Sequence, residues 1–233
     1  NFFIISFLIS LIIFCCYNLG KNYKQVDIDM CFDINIKDKN RKYKILKNLV
    51  PDYKCNQLIN EGEIYASKNK WSTKRHGNYP TTDNKVDESW NCYKYFENLV
   101  KTKVYDTLYE LYKVDISKLY ILELFLVKYD EKGQKSLDFH IDETEFSFII
   151  TLNNDFKGGG TLFKNSNKLI KPNKGDCLVF SGRNKHKGNA ISRGTRYILA
   201  GFIGYKDYKF CQNLIMKVDP KAALKKYLKI IKE

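Results

Sequence analysis

The stretch "DFHIDETEFSFII", residues 138–150, places a histidine two positions before an aspartate, at the start of a run of apolar residues. Residues i and i+2 of a β-strand project to the same side, so we expect His140 and Asp142 to point together, away from Phe139 and Ile141. An imidazole and a carboxylate on one side of a strand supply two ligands for one metal ion. The pair alone equally fits a polar strand edge, and a third ligand decides between these interpretations.

Two other histidines could supply the third ligand. His76 lies in "STKRHGNYPTTD", ahead of the segments with strand character, whereas His186 follows directly after the strand "DCLVF". His186 is the better candidate for a set of two histidines and one carboxylate, which non-haem Fe(II) oxygenases use. On these residues alone, a metal site and a polar edge with an unrelated histidine both remain open.

A strand with an inward arginine follows ten residues after His186. The segment "RGTRYILAGFI" alternates so that Arg196, Ile198 and Ala200 share one face. A guanidinium among apolar neighbours needs an anion, and a carboxylate that accepts two hydrogen bonds matches it best. A surface arginine is the alternative, and the alternation disfavours it.

The hydrophobic pattern of the sequence changes near residue 119. Two amphipathic helices are predicted between residues 52 and 115, and short apolar segments separated by turns continue from Leu119 to about Ile203. The Gly158–Gly160 turn is expected to let the backbone pass tightly between strands. This pattern predicts a mainly β fold with flanking helices (α+β), a jelly roll or double-stranded β-helix supported by N-terminal helices. The predicted divisions are residues 1–20 for a membrane-directed segment, 21–42 for a polar stalk, 43–118 for a helical support region, 119–205 for the core and 206–233 for a C-terminal helix.

The first twenty residues contain no charge, and Lys21 is the first charged residue. The apolar run is long for a signal peptide and slightly short for a span of about 20 residues, so both interpretations stay open. The absence of a clear small-x-small cleavage site favours a retained signal anchor. Contact with a membrane and passage through the endoplasmic reticulum are therefore expected.

The formal net charge of +14 invites a nucleic-acid interpretation, but the lysines are spread along the whole sequence. No basic stripe interleaved with aromatic residues is visible, so nucleic acid is not the expected partner. Of the seven cysteines, two lie in the apolar N-terminal run, and the other five show no C-x-x-C spacing. A zinc framework is therefore disfavoured, and Cys177 in "DCLVF" is expected to be a buried thiol.

Several motifs occur in a fixed order between Leu119 and Ile203: H-x-D, L-N before Gly-Gly-Gly, G-D before a strand, a distal histidine, and an arginine ten residues later. As a set they resemble the catalytic core of the Fe(II)/2-oxoglutarate dioxygenases, and within them the procollagen prolyl 4-hydroxylase and lysyl hydroxylase branch. The resemblance implies Fe(II), 2-oxoglutarate, O2 and L-ascorbate as cofactors or cosubstrates. It implies iron ligands at His140, Asp142 and His186, and 2-oxoglutarate contacts at Arg196 and Tyr129.

The same resemblance implies a protein or peptide substrate hydroxylated on prolyl or lysyl residues. Collagen prolyl hydroxylases usually carry lysine at the position of Arg196, so the arginine favours the lysyl type. A nucleic-acid demethylase of the same chemistry is the first alternative, although the paired arginines expected there are missing. A non-catalytic jelly-roll binding module is the second.

The segment "KWSTKRHGNYPTTD", residues 70–83, is rich in side chains suited to recognition. Trp71, Arg75, His76 and Tyr79 are expected to line the mouth through which a substrate enters. A structural loop packed on the helices is the competing interpretation.

Overall fold

The structure is a computed structural model, and it describes residues 42–77, 79–142 and 144–206. Apart from Lys42 and Lys206, the predicted apolar segment 1–20, stalk 21–42 and C-terminal helix 206–233 lie outside the described residues and stay predictions. No helix within the described ranges has the length and apolar character needed to cross a membrane.

Short strands dominate the described part of the chain, as the change of hydrophobic pattern near residue 119 predicts. Strands β3 and β11 are the longest, and both are rich in the branched and aromatic residues that suit a pleated surface. The strands are β1 (Tyr43–Leu46), β2 (Asp83–Lys85), β3 (Leu119–Asp130), β4 (Leu137–His140), β5 (Phe146–Thr151), β6 (Phe156–Gly158), β7 (Thr161–Phe163), β8 (Lys168–Ile170), β9 (Cys177–Ser181), β10 (His186–Gly188) and β11 (Ile191–Tyr205).

The strands form two antiparallel sheets. The major sheet has the order β1-β9-β5-β11-β3-β2, with β6 paired to one end of β11, and the minor sheet has the order β4-β10-β7-β8. Phe163 of the minor sheet meets Phe180 of the major sheet edge-on, with ring centroids 5.3 Å apart. Both rings are almost completely buried, so the core between the two sheets is apolar at this end. This arrangement confirms the predicted jelly roll.

The helices pack on the major sheet. Helix α1 (Asp52–Asn69) is followed by a second helical stretch made of α2 (Tyr93–Leu99), a π-helical turn (Val100–Val104) and α3 (Tyr105–Tyr112). A Cβ atom at Gly62 of α1 would lie 2.1 Å from a methyl group of Leu126, so the helix backbone rests directly on β3. Both predicted helices are confirmed.

The support region is less purely helical than residues 43–118 were predicted to be. It also contributes β1 and β2, which form the two edges of the major sheet. These strands have only four and three residues, too few for their alternation to be visible in the sequence. A strand this short is specified by its pairing with β9 or β3 rather than by its own pattern.

The Gly158–Gly160 turn is confirmed as a tight passage. The three glycines have φ angles of +85°, +65° and +98°, a region that other residues enter at a cost. A Cβ atom at Gly158 would lie 2.5 Å from the carbonyl oxygen of Ala190. Glycine is therefore required both by the backbone angle and by the neighbouring chain.

The cysteines of the described residues are buried thiols. Cys55, Cys92 and Cys177 are free, and each has no exposed surface. Burial raises the pKa of Cys55 to about 11 and raises that of Cys177 further. Both thiols are therefore protonated at neutral pH and act as small apolar side chains, as predicted for Cys177.

Candidate metal centre

The structure brings His140, Asp142 and His186 together between the two sheets. One ligand atom from each residue lies within 4.8 Å of the others, and all three side chains are buried. His140 ends β4 and His186 begins β10, where the two residues are paired neighbours. Asp142 follows two residues after His140, and its backbone N–H donates to Gly182 O at 2.9 Å. These three residues could hold a metal ion.

Backbone carbonyl groups orient both imidazole rings. His140 Nδ1 lies 2.7 Å from Asp138 O, and His186 Nδ1 lies 2.8 Å from Asn184 O. An Nδ1–H that donates to a carbonyl leaves the lone pair on Nε2, which is the arrangement that a metal-binding histidine uses. The two Nε2 atoms face Asp142, at 3.4 Å and 3.9 Å from its carboxylate oxygens. Two nitrogens and one oxygen therefore converge without any rearrangement.

The electrostatics of the cluster favour a cation. Burial raises the pKa of Asp142, but the contact with His140, the hydrogen bond from Ser147 and the nearby His186 outweigh burial and leave this pKa lowered. Burial lowers the pKa of His186. Burial also acts to lower that of His140, but the contact with Asp142 outweighs it and leaves the pKa raised. An ionised carboxylate beside a neutral imidazole is the donor set that a divalent transition metal prefers.

Arg196 is the second unusual feature of the site. It lies on β11 with 2% of its surface exposed, and it faces the interior together with Ile198 and Ala200, as the alternation predicts. No carboxylate among the described residues forms an ion pair with it. Within that part of the chain, its side chain makes one hydrogen bond, from a guanidinium nitrogen to Gly160 O at 3.5 Å. Burial lowers its pKa. A buried cation without a counter-ion is costly, so this position calls for an anion.

Tyr129 lies beside Arg196, as its predicted role requires. The two residues are paired neighbours on β3 and β11, and the guanidinium carbon lies 5.4 Å from the centre of the tyrosine ring. Tyr129 is 3% exposed, and burial raises its pKa. Its hydroxyl group is therefore neutral at physiological pH and can donate a hydrogen bond.

One cavity of about 390 Å³ joins these features. Arg196 and Tyr129 line it together with all three members of the metal cluster. Its wall on the major sheet is apolar and includes Phe125, Ile198, Ala200 and Phe202. A volume in this range suits a small organic ligand.

The mouth segment is defined as residues 70–77 and 79–83, and part of it lines this cavity. Arg75, His76 and Tyr79 all line the cavity, and the Tyr79 ring lies 5.1 Å from that of His140. Trp71 does not line it. Its ring instead lies 6.4 Å from Tyr197 and takes the ammonium group of Lys128 over its face at 5.3 Å. The structure therefore does not bring Trp71 to the cavity with the other three residues, because its ring packs against Tyr197 and Lys128.

Arg75 is tied to the body of the protein by two carboxylates. Its guanidinium donates to Asp83 at the start of β2 and to Glu123 on β3. Asp83 has no exposed surface, and it also accepts a hydrogen bond from the Thr81 hydroxyl group. Burial acts to lower the pKa of Arg75, but the two carboxylates outweigh it and leave the pKa raised.

Two contacts of the site could not be predicted from the sequence patterns. Ser147 is 2% exposed and donates to the carboxylate of Asp142, but in "EFSFII" it is one hydroxyl group in an apolar strand. A single polar residue in an apolar strand was the only sequence feature that could have indicated a role for Ser147. Asp83 and Glu123 lie 40 residues apart, and only the pairing of β2 with β3 brings both carboxylates to Arg75.

The comparisons with known proteins agree with this geometry. Residues 124–204 match the model of the 2OG-Fe(II) oxygenase superfamily. Human procollagen-lysine,2-oxoglutarate 5-dioxygenase 2 is 33% identical over 167 residues, which cover 64% of this chain and 22% of that protein. The chicken procollagen-lysine,2-oxoglutarate 5-dioxygenase 1 is 33% identical over 170 residues, 65% of this chain and 22% of that one. The chain thus spans about a fifth of the length of these relatives.

Solved structures share the fold. The viral collagen prolyl hydroxylase of Paramecium bursaria Chlorella virus-1 superposes with a TM-score of 0.54 at 17% identity, covering 69% of this chain and 94% of that one. A prolyl-4-hydroxylase from Pseudomonas putida gives 0.56 at 13% identity, covering 71% and 93%. The family model, the relatives and the shared fold agree: residues 124–204 form a domain of the 2OG-Fe(II) oxygenase superfamily, which is similar in sequence to lysyl hydroxylases and shares its fold with prolyl hydroxylases.

Proposed function

We propose that this protein is an Fe(II)- and 2-oxoglutarate-dependent dioxygenase that hydroxylates lysyl or prolyl residues of a protein substrate. One observation carries the proposal: a buried cluster of two histidines and one carboxylate shares a cavity with a buried arginine that no carboxylate of the described chain neutralises. The first feature suits a divalent metal, and the second suits a carboxylate at some distance from that metal.

His140, Asp142 and His186 would hold Fe(II) through the two Nε2 atoms and the carboxylate. Their donor set fits, because both rings already present Nε2 to the cluster. Three protein ligands leave coordination positions for the keto-acid end of 2-oxoglutarate and for O2. L-ascorbate is proposed as the reductant that keeps the iron in the Fe(II) state.

Arg196 would bind the distal carboxylate of 2-oxoglutarate. Its guanidinium can donate two parallel hydrogen bonds to a carboxylate, and Tyr129 can donate a third. Two carboxylate-binding features in one cavity distinguish a diacid from a monoacid, because a monoacid at the metal would leave the buried arginine uncompensated. An ion pair formed in this dry environment is also stronger than one formed at the surface.

When bound, Fe(II) and 2-oxoglutarate supply an oxidation by O2 that yields succinate, CO2 and a hydroxyl group in place of a C–H hydrogen. The apolar wall of Phe125, Ile198, Ala200 and Phe202 keeps water away from the reacting atoms. The Tyr79 ring beside His140 narrows the approach to the metal cluster. Arg75 is proposed to act through the mouth segment, which it holds in place, rather than by direct contact with the substrate.

Two carboxylates that pair with Arg75, neither of which lines the cavity, are proposed to favour a lysyl over a prolyl target. Asp83 and Glu123 both pair with Arg75, so this group of three carries one more carboxylate than it has guanidinium groups. A cationic side chain entering beside it gains attraction that a proline ring does not. The names of the curated relatives and the arginine at position 196, rather than lysine, support the same choice.

Succinate formation from 2-oxoglutarate tests the proposal. Purified protein with Fe(II) and ascorbate is expected to release succinate slowly without substrate, and faster with a peptide that contains the target residue. EDTA should stop the reaction, added Fe(II) should restore it, and His186→Ala should abolish it while circular dichroism shows a folded protein. A folded wild-type protein that forms no succinate with lysyl or prolyl peptides would exclude the proposed activity.

The site of hydroxylation can be read by mass spectrometry. A peptide that contains both lysine and proline is expected to gain the mass of one oxygen atom, and fragmentation locates it. Modification on lysine supports the lysyl assignment, whereas modification on proline overturns it and leaves the prolyl alternative.

We further propose that this reaction takes place in the secretory pathway, on the basis of the apolar N-terminal segment. Residues 1–20 are uncharged and apolar, and they are proposed to direct the chain to the endoplasmic reticulum and to anchor it in the membrane. Residues 1–42 fused ahead of a reporter with a glycosylation acceptor should yield a glycosylated product in microsomes. Resistance of that product to carbonate extraction would support an anchor, and release would indicate a cleaved signal peptide.

A further inference from the structure

We propose that the outer surface of the minor sheet binds an acidic segment of a partner polypeptide that also carries apolar side chains. This surface, called the minor-sheet face, faces away from the cavity. It consists of four lysines and four apolar residues: Phe139, Ile141, Leu162, Lys164, Leu169, Lys171, Lys185 and Lys187. The proposal does not depend on the reaction, and it can be tested without iron or 2-oxoglutarate.

Strand alternation and register place these residues on one surface. His186 and Gly188 line the cavity, so Lys187 between them faces outward. Leu162 is the paired neighbour of Lys187, and Leu169 is the paired neighbour of Leu162, so one row crosses three strands. Lys164, Lys171 and Lys185 lie just beyond the ends of these strands. The Lys164 backbone N–H donates to Lys185 O at 2.9 Å, and the side chains of Lys171 and Leu169 lie beside the same glycine, Gly160.

Phe139 extends the row onto β4. The ammonium groups of Lys164 and Lys187 lie 5.6 Å and 5.0 Å from the centre of its ring. These contacts hold two like charges close together. Ile141 lies at the rim, 44% exposed, and it also lines the cavity. The minor-sheet face is therefore continuous with the edge of the cavity.

No carboxylate of the described residues pairs with the lysines of this face. None of its four lysines forms an ion pair or a side-chain hydrogen bond with a carboxylate in the part of the chain that the structure describes. By contrast, lysines 44, 47, 94, 101, 128 and 174 elsewhere on the fold do form ion pairs. Clustered like charges without counter-ions produce a positive potential that attracts an acidic partner.

The apolar residues favour a polypeptide over a nucleic acid. Leu169 is 39% exposed and Ile141 is 44% exposed, and neither can bond to a sugar or a phosphate. Phe139 is the aromatic residue on this face, and two ammonium groups already lie over its ring, so it offers little room for a stacked base. Apolar side chains alternating with carboxylates on an extended segment would match this mixture of lysines and leucines.

This surface could not be predicted from the linear sequence, because its lysines come from three separate segments. Lys164 follows β7, Lys171 follows β8, and Lys185 and Lys187 lie at β10. In the linear sequence they merge with a general excess of lysine. Only the order β4-β10-β7-β8 assembles them around Phe139.

Binding of labelled peptides tests the proposal. The ligands are a fluorescein-labelled peptide of repeated Glu-Glu-Leu-Ser, its Gln-Gln-Leu-Ser counterpart, an oligothymidylate of equal length, and vesicles of phosphatidylcholine with phosphatidylserine. Fluorescence anisotropy, or co-sedimentation for the vesicles, is measured in EDTA at two salt concentrations. Wild-type protein should bind the glutamate peptide more tightly than the other three ligands, and more weakly at high salt.

Two variants of the face and two matched controls locate the binding site. Lys164→Glu/Lys171→Glu should weaken binding of the glutamate peptide about tenfold or more, because it replaces attraction by repulsion. Leu169→Ser should weaken it several-fold. The controls are Lys68→Glu/Lys103→Glu, two exposed lysines on the helices, and Leu122→Ser, whose leucine is 49% exposed. Both controls should stay within about twofold of wild type.

Melting temperatures establish that each variant is folded, and Lys164→Ala/Lys171→Ala replaces the glutamate pair if that pair unfolds. Equal losses in the two lysine pairs would mean general charge attraction and would overturn the proposal. Absence of binding by wild type would overturn it as well. Tighter binding of oligothymidylate or of vesicles through Lys164 and Lys171 would overturn it in favour of a nucleic acid or a membrane.

Discussion

The cavity contains two arginines, and they differ in what neutralises them. Arg75, at the mouth, pairs with Asp83 and Glu123, and these carboxylates raise its pKa. Arg196, in the interior, pairs with no carboxylate of the described chain, and burial lowers its pKa. The first arginine stabilises the fold through its carboxylate partners, whereas the second is proposed to bind the anionic end of a ligand. The same residue type is thus proposed to serve structure at the mouth and binding in the interior.

The largest expected effect concerns cosubstrate binding. Arg196→Leu should weaken binding of 2-oxoglutarate about a hundredfold or more, because it removes one partner of a desolvated charge pair. Arg196→Lys should be intermediate, since an ammonium group keeps the charge but loses the paired hydrogen bonds. Isothermal titration with Mn(II) in place of Fe(II) measures this. If Arg196→Leu bound 2-oxoglutarate as tightly as wild type, the assignment of Arg196 would be wrong.

The second prediction compares how substitution of each arginine changes the free energy of unfolding, measured in EDTA and without cosubstrate. Arg75→Leu should lower the free energy of unfolding by about 3 kcal/mol, since the carboxylate of Asp83 stays buried without its partner. Arg196→Leu should leave it unchanged or raise it by about 1–2 kcal/mol, because an apolar side chain replaces an uncompensated cation. Urea unfolding followed by circular dichroism measures both. Similar destabilisation by the two variants would refute the contrast.

The third prediction concerns the support of the metal cluster. Ser147→Ala should weaken Mn(II) binding roughly 10- to 100-fold, the usual effect of losing a residue that orients a metal ligand. Ser147 donates to Asp142, whereas Ser181, equally buried, hydrogen bonds to the carbonyl oxygen of Glu145. Ser181→Ala is therefore the matched control and should bind Mn(II) as wild type does. Equal losses in both variants would indicate a general packing defect instead.

The sequence was most informative about the interior of the site. Strand alternation predicted that His140 and Asp142 share one side and that Arg196 faces inward, whereas His186 was assigned to the same site by the family resemblance. The mouth was harder. It depends on β2, which has three residues, and on an irregular segment whose path follows from ion pairs with Asp83 and Glu123. No local sequence pattern predicts those ion pairs.

Trp71 shows why the side chains that line the cavity could not be predicted in an irregular segment. Its residue type suits recognition, and it lies four positions before Arg75, yet its ring packs outside the cavity against Tyr197 and Lys128. In an irregular segment, successive side chains follow no fixed period, so spacing does not predict which of them share a side. Ser147 illustrates the opposite case, since the strand period puts it on the cavity side but gives no sign that it contacts Asp142.

The smallest expected effect tests whether the mouth selects a cationic target. Glu123→Gln removes one negative charge beside Arg75 but keeps an oxygen that can accept its hydrogen bond. The ratio of kcat/KM for a lysyl peptide to that for a matched prolyl peptide should fall about two- to fivefold, because a partly exposed charge contributes modestly to recognition. Glu88→Gln, an exposed carboxylate that pairs with Lys94 rather than with Arg75, is the control. A fall in kcat/KM that is equal for both peptides would mean that Glu123 supports the mouth segment, as Asp83 does, without selecting the substrate.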